Sequence, residues 1–283
     1  MMSAVWIEAL PIALLGLFIG SFLNVVIHRL PKMLEAQWAS ECHQLTHPET
    51  AAPDSDKYNL LVPRSACPHC GHKITWYENV PVLSYLVLGG KCSQCKAKIS
   101  LRYPFVEIIT AALYAYCAHR WGWSWQTAAW CAFCTALVAL TFIDWDTTLL
   151  PDDITLPLVW LGLIAAATRW NVDVTLTNSV WGAVAGYLSL WSVYWVFKLV
   201  TGKEGMGYGD FKLFAALGAW FGWQALIPMI LLASVIGAIV GIAMKLSSGL
   251  REGGYVPFGP FLAGAGVVSL IFGSASILRV IGL

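Results

Sequence analysis

Charge is what this chain has least of. Its 283 residues include 17 Lys and Arg and 16 Asp and Glu, 12% of the total, with a net charge of +1. So few charges cannot clothe a soluble globule of this size, and the near-zero balance excludes the basic footprint of a nucleic-acid-binding protein. No basic cluster precedes the first apolar run, so a cleaved signal peptide is not expected; the positive charges, Arg29 and Lys32, follow that run. Nor does any strand lead through a glycine-rich turn into a helix, which excludes a recognisable nucleotide-type cofactor fold. No internal repeat is found.

What is present is apolar. Hydrophobic residues make up 58% of the chain, there are 15 tryptophans, and the mean hydropathy is +0.67. The expectation is an all-α polytopic membrane protein. Apolar stretches of bilayer length fall at 4–27, 104–120, 125–143, 154–169, 178–200, 212–223, 225–245 and 257–281, about eight transmembrane segments. The sixth is short enough to be re-entrant, which requires protein or a water-filled cavity around its polar backbone.

With the N-terminus outside, 14 of the 17 Lys and Arg collect on inner loops and membrane edges, and only Arg120, Arg169 and Arg279 lie outside. The positive-inside rule therefore places 30–103, 144–153, 201–211 and 246–256 in the cytosol. The domain reading is a first transmembrane helix over 1–30, a cytosolic loop over 31–103, and a transmembrane core over 104–283.

The long loop divides in two. Residues 34–62 are polar, mixed and aperiodic, and read as a flexible insertion. Residues 67–99 carry CPHC and CSQC, two CxxC knuckles separated by 21 residues. Such spacing sets two thiolates on each side of a tetrahedral ion, so Cys67, Cys70, Cys92 and Cys95 are candidate zinc ligands. Gly71 supplies a turn, and the region of Lys96 and Lys98 a positive field. Redox dithiols are the alternative, disfavoured by a reducing cytosol. His43, His47, His69 and His72 are possible competing ligands that read more simply as surface residues. Cys131 and Cys134 repeat the spacing within an apolar segment, where free cysteine packs as a small hydrophobe.

Carboxylates in or beside the spans are few: Glu8, Glu107, Asp144, Asp146, Asp152, Asp153 and Asp210. Asp152, Asp153 and even Asp210 stand where helix N-caps stand, Asp153 most plainly. Asp144 ends the run ALVALTFI, where a helix dipole disfavours an anion. Asp210 follows Gly207 and Gly209 in GYGD, glycines that permit close backbone approach or local unwinding. Two facing carboxylates that share a proton can hydrolyse an amide, the neutral one donating to the carbonyl and the ionised one activating water.

Five segments in order, GSFLNVVIHRLP at 20–31, the two knuckles with RYPFVE at 102–107, FIDWDTTLLPD at 142–152, GYGDFK at 207–212 and PFGPFLAGAG at 257–266, resemble the bacterial prepilin peptidases, the type IV leader peptidases of pilus-biogenesis and type II secretion systems. The resemblance implies an intramembrane aspartic endopeptidase of the GxGD type in the inner membrane, with its active site facing the cytosol. Its expected substrates are prepilins and pseudopilins, whose short basic leader is cut after a glycine. It also implies N-methylation of the new terminus, usually phenylalanine, with S-adenosylmethionine as methyl donor. Carried over by motif, the catalytic pair is Asp144, seven residues before Pro151, and Asp210; Asp146, two residues on, competes for the first role.

A substrate of this kind arrives by lateral diffusion among the membrane lipids, and Asp146, Asp152, Asp153 and Glu204 are candidates for a field that receives its basic leader. Two other classes remain in view. A proton-coupled transporter also uses intramembrane carboxylates, but it predicts mid-span placement and repeats. A thiol oxidoreductase needs its cysteines on the oxidising side.

Overall fold

The computed structural model describes residues 2–47, 58–247 and 256–273, with 276 and 279. Its elements are helices: α1 (Met2–Thr46), α2 (Leu83–Val87), α3 (Arg102–Trp121), α4 (Trp125–Thr147), α5 (Asp152–Ala167), α6 (Leu176–Thr201), α7 (Tyr208–Phe221), α8 (Leu226–Leu246) and α9 (Gly259–Phe272). Among the described residues four stretches are long and apolar enough to cross a membrane: Ala9–Thr46, Trp125–Thr147, Leu176–Thr201 and Trp223–Leu246. That is fewer than the eight segments expected, because α5, α7 and α9 have only 16, 14 and 14 residues and α3, at 20 residues, is long enough but too polar. The expected end of the last segment, beyond Gly273, lies mostly outside the described residues.

The chain forms two compact units, Met1–Trp123 and Ser124–Leu283. In the first, α1 packs antiparallel on α3. Gly16 and Gly20, four apart, let the backbones meet: a Cβ at Gly16 would lie 2.8 Å from Ala111 Cα, and one at Gly20 2.7 Å from Glu107 Cα. Small residues at this spacing substitute close van der Waals packing for the hydrophobic drive that lipid does not supply. Leu10, Leu14, Leu15 and Phe18 stay exposed, as a lipid-facing surface requires.

The expectation of a flexible insertion over 34–62 is corrected in part. Residues 34–46 continue α1 without a break, through Pro31. Extending an existing helix costs no new nucleus, and Leu34, Glu35, Ala36 and Gln37 are good helix formers. Gln37 also donates to Glu41 across one turn at 2.8 Å. Residues 48–57 of that stretch lie outside the described residues.

In the second unit α7 is the core. Phe211, Leu213, Ala216, Leu217, Ala219 and Trp220 are fully buried. Helices α6 and α7 cross where Gly182 and Gly218 face each other so closely that a Cβ on either would strike the other's carbonyl. At the far end of α7, Trp130, Phe133, Trp220 and Phe221 form an aromatic cluster with ring centroids 4.8 to 5.6 Å apart. Helix α7 is only about 21 Å long, short of the roughly 30 Å hydrocarbon core. Its last carbonyls end inside protein and are satisfied there: Ser179 Oγ donates to Ala219 O at 2.6 Å, and Asn171 Nδ2 to Trp220 O at 2.7 Å. This is the protein cover that a short polar-ended helix needs.

Candidate functional site

Asp144 lies in the last turn of α4 and is 4% exposed; Asp146, two residues on, points outward. Adjacent to carbonyls at its own helix end, the Asp144 carboxylate takes its support from another helix. The Gly259 N–H, at the first residue of α9, donates to Oδ2 at 2.9 Å. A helix N-terminus favours an anion, so α9 offsets the unfavourable end of α4. The fit admits no side chain, since a Cβ at Gly259 would sit 2.6 Å from that oxygen.

Asp210 is the third residue of α7, 7% exposed. It does not cap the helix. The cap position is Gly207, in extended backbone at φ −80° and ψ 151° with no side chain to offer. Asp210 Oδ1 is buried without a hydrogen-bond partner among the described residues, and the carboxylate lies within the electrostatic reach of Asp144. Gly209 explains how the two come together: a Cβ there would fall 2.5 Å from Leu150 Cβ, so glycine lets the loop after α4 lie against the start of α7.

Two cap expectations for neighbouring acids are corrected. Asp152 and Asp153 form the first turn of α5 and cap nothing; the cap position is Pro151. Asp152 is taken up by Lys212, whose Nζ donates to both carboxylate oxygens at 2.6 and 2.7 Å, pinning the start of α7 to the start of α5. Glu204 pairs with Lys198 at 2.8 Å, which with Tyr194 holds its carboxyl below the usual range.

In the first unit the sulfurs of Cys67, Cys70, Cys92 and Cys95 lie within 4.8 Å of one another. The separations of 3.8 Å between Cys67 and Cys95 and 3.9 Å between Cys70 and Cys92 match the edge of about 3.8 Å that four Zn–S bonds of about 2.3 Å would set. The knuckles repeat each other. Gly71 N–H donates to Cys67 O and Lys96 N–H to Cys92 O, while Cys67 N–H and Cys92 N–H donate to His72 O and Ala97 O. Gly71 and Lys96 hold the same position after the second cysteine, both with positive φ (71° and 60°). Lys96 therefore closes a turn, a role sequence reading gave only to Gly71.

The donor set suits a cation. Backbone N–H groups of Cys95 and Gln94 draw the Cys92 thiol down to about 6. Although the Ala97 N–H favours its thiolate, desolvation and the other three sulfurs push Cys95 up to about 11, so the cluster resists full ionisation without positive charge at its centre. The histidines stand apart from the sulfurs: His72 pairs with Glu78 at 3.1 Å. Glu78 is held down to about 2 by Ser93 and by the Thr75 N–H and hydroxyl, and so braces the module.

These features define a helical membrane protein with a buried, mutually interacting carboxylate pair and a separate four-cysteine module. Residues 14–121 match the Bacterial Peptidase A24 N-terminal domain and residues 131–242 the Type IV leader peptidase family. A protein of Pseudomonas aeruginosa named Prepilin leader peptidase/N-methyltransferase is 54% identical over 260 residues, covering 92% of this chain and 89% of that protein. Proteins of the same name from Aeromonas hydrophila (52% identical, 95% of this chain and 92% of that one) and Burkholderia pseudomallei (48%, 92% and 84%) are similar over the same span. The chain belongs to the type IV leader peptidase family. No solved structure matches it.

Proposed function

We propose that this protein cleaves the leader from type IV prepilins and type II secretion pseudopilins and then N-methylates the exposed residue; its relatives named Prepilin leader peptidase/N-methyltransferase support the two activities. Asp144 and Asp210 are the catalytic pair. The observation that carries this is their joint burial, with Asp146 left at the surface. The Gly259 N–H settles the negative charge on Asp144, which takes the proton of the attacking water. Asp210, with Oδ1 free of donors, carries the shared proton and gives it to the scissile carbonyl. Proton transfer through water to the departing amine completes hydrolysis.

The protein sits in the inner membrane with eight segments, four of full spanning length and four shorter or more polar, and its aspartates at the cytosolic surface where a basic leader meets its apolar helix. Zinc is held by Cys67, Cys70, Cys92 and Cys95 and braces the module; S-adenosylmethionine supplies the methyl group.

The test is purified protein in detergent with a synthetic prepilin, leader release and terminal methylation being followed separately. Asp144→Asn and Asp210→Asn are each expected to lower cleavage at least a thousandfold, the scale of losing one half of an acid–base pair. Asp146→Asn should stay within about threefold of wild type, as an exposed carboxylate away from the reacting atoms allows. An inactive Asp146→Asn beside an active Asp144→Asn would invert the assignment.

A further inference from the structure

Three sequence motifs play no part in holding the aspartates: the stretch at 20–31, the cysteine knuckles, and RYPFVE at 102–107. All three line one cavity of about 620 Å³ in the first unit. Helix α1 contributes Ser21, Asn24 and His28, a polar stripe at helical spacing at the end of its apolar half. Helix α3 contributes Tyr103 and Glu107, and the knuckle module Glu78.

The walls are braced by their own hydrogen bonds. Arg29, 7% exposed, donates to Asn59 O at 2.8 Å and Pro63 O at 2.6 Å. Asn24 donates to Tyr103 O at 3.2 Å, and Glu107 accepts the Val82 N–H at 2.8 Å. Polar groups on a membrane helix are costly to keep, and here they join a module to two helices around a space.

We propose that this cavity is the methyl-donor site, receiving a sulfonium nucleoside of the S-adenosylmethionine class; the inference rests on the methylation read above. The volume lies in the range of about 300–1,000 Å³ typical of small-molecule sites. The Glu78 carboxylate favours a cation, and the tyrosine rings at the wall suit both a purine face and a positive sulfur. When bound, the donor supplies a methyl group on positively charged sulfur. The neutral amine of the cleaved pilin gives its lone pair to the methyl carbon as the carbon–sulfur bond breaks, that bond's electron pair staying on sulfur. The nitrogen then releases one proton to solvent, so charge and electrons balance with no further reactant. All the lining residues fall within 21–107, and none is an aspartate of the peptidase pair.

Binding of radiolabelled S-adenosylmethionine to the purified full-length protein tests this, measured for wild type, Ser84→Trp, Tyr103→Ala and Tyr103→Phe. Ser84 lines the cavity, so the tryptophan fills it. Ser84→Trp and Tyr103→Ala should each weaken binding about tenfold or more, Tyr103→Phe should bind nearly as wild type, and all should still release the leader. Ultraviolet crosslinking of the bound donor should label the first unit. If Ser84→Trp also loses cleavage, the Tyr103 pair decides. Wild type that binds donor while Tyr103→Ala binds equally well, or a crosslink within 124–283, overturns this site and leaves the methylation reading standing. Wild type that neither binds donor nor methylates overturns both.

Discussion

Asp144 depends on a glycine 115 positions away. Its carboxylate would be poorly placed at the end of α4 without the first N–H of α9, and Gly259 is the residue whose missing side chain permits that contact. Gly259→Ala is therefore predicted to lower leader cleavage by about 10- to 100-fold, the equivalent of about 1.5–3 kcal/mol for a hydrogen bond to a charged group, with little change in thermal stability. Steady-state cleavage of a synthetic prepilin, beside a melting curve in detergent, checks both halves. The aspartates themselves are legible in the sequence, because a carboxylate in apolar surroundings demands a reason. The role of Gly259 is not: PFGP stands out as a motif, but nothing local says which acid it serves. The partners of Asp152 and Glu204 are hidden for the same reason, since the lysines that engage them are chosen by the fold.

At the scale of elements, α7 shows how a helix too short to span can still carry a buried carboxylate at its start. Its start holds Asp210, its body is the core of the second unit, and its final carbonyls are covered by Ser179 and Asn171. Removing either donor strands a buried carbonyl, so Ser179→Ala and Asn171→Ala should each destabilise the protein by about 1–3 kcal/mol. Thermal unfolding in detergent reads that loss, and unchanged melting for both would disprove the capping role. Hydropathy located α7 but not its partners, which lie 40 and 49 positions upstream. It also missed the second half of α1, since an exposed helix has no apolar stripe to reveal its period. The knuckles were legible from spacing alone. Metal analysis should find about one zinc per chain, lost in Cys67→Ser and Cys92→Ser, and the module should then become protease-sensitive, because binding and folding of such modules are linked. Zinc retained in both variants would point to the histidines instead.

At the scale of the whole molecule, chemistry divides along the chain. The aspartates belong to Ser124–Leu283, whereas the cysteine module and the cavity belong to Met1–Trp123. Hydrolysis needs an acid, a base and water; methyl transfer needs a neutral amine in line with a sulfonium carbon. The two activities are therefore predicted to fail independently. The double variant Asp144→Asn, Asp210→Asn should still methylate a pre-cleaved pilin with a free N-terminal phenylalanine. A folded double variant that binds donor but cannot methylate that substrate would mean that the carboxylates serve both reactions.

The unbroken course of α1 carries a constraint of phase. Gly16 and Gly20 must face α3, Ser21, Asn24 and His28 must face the cavity, and Arg29 must reach Asn59 and Pro63, all from one rigid screw. One residue inserted after Gly20 turns everything beyond it by about 100° and lifts it by about 1.5 Å, sending the stripe away from its space. Seven inserted residues restore the angle to within about 20° but displace the stripe by about two turns along the axis. Length and angle cannot both be recovered, so this helix tolerates substitution along its outer face far better than any change in its count of residues.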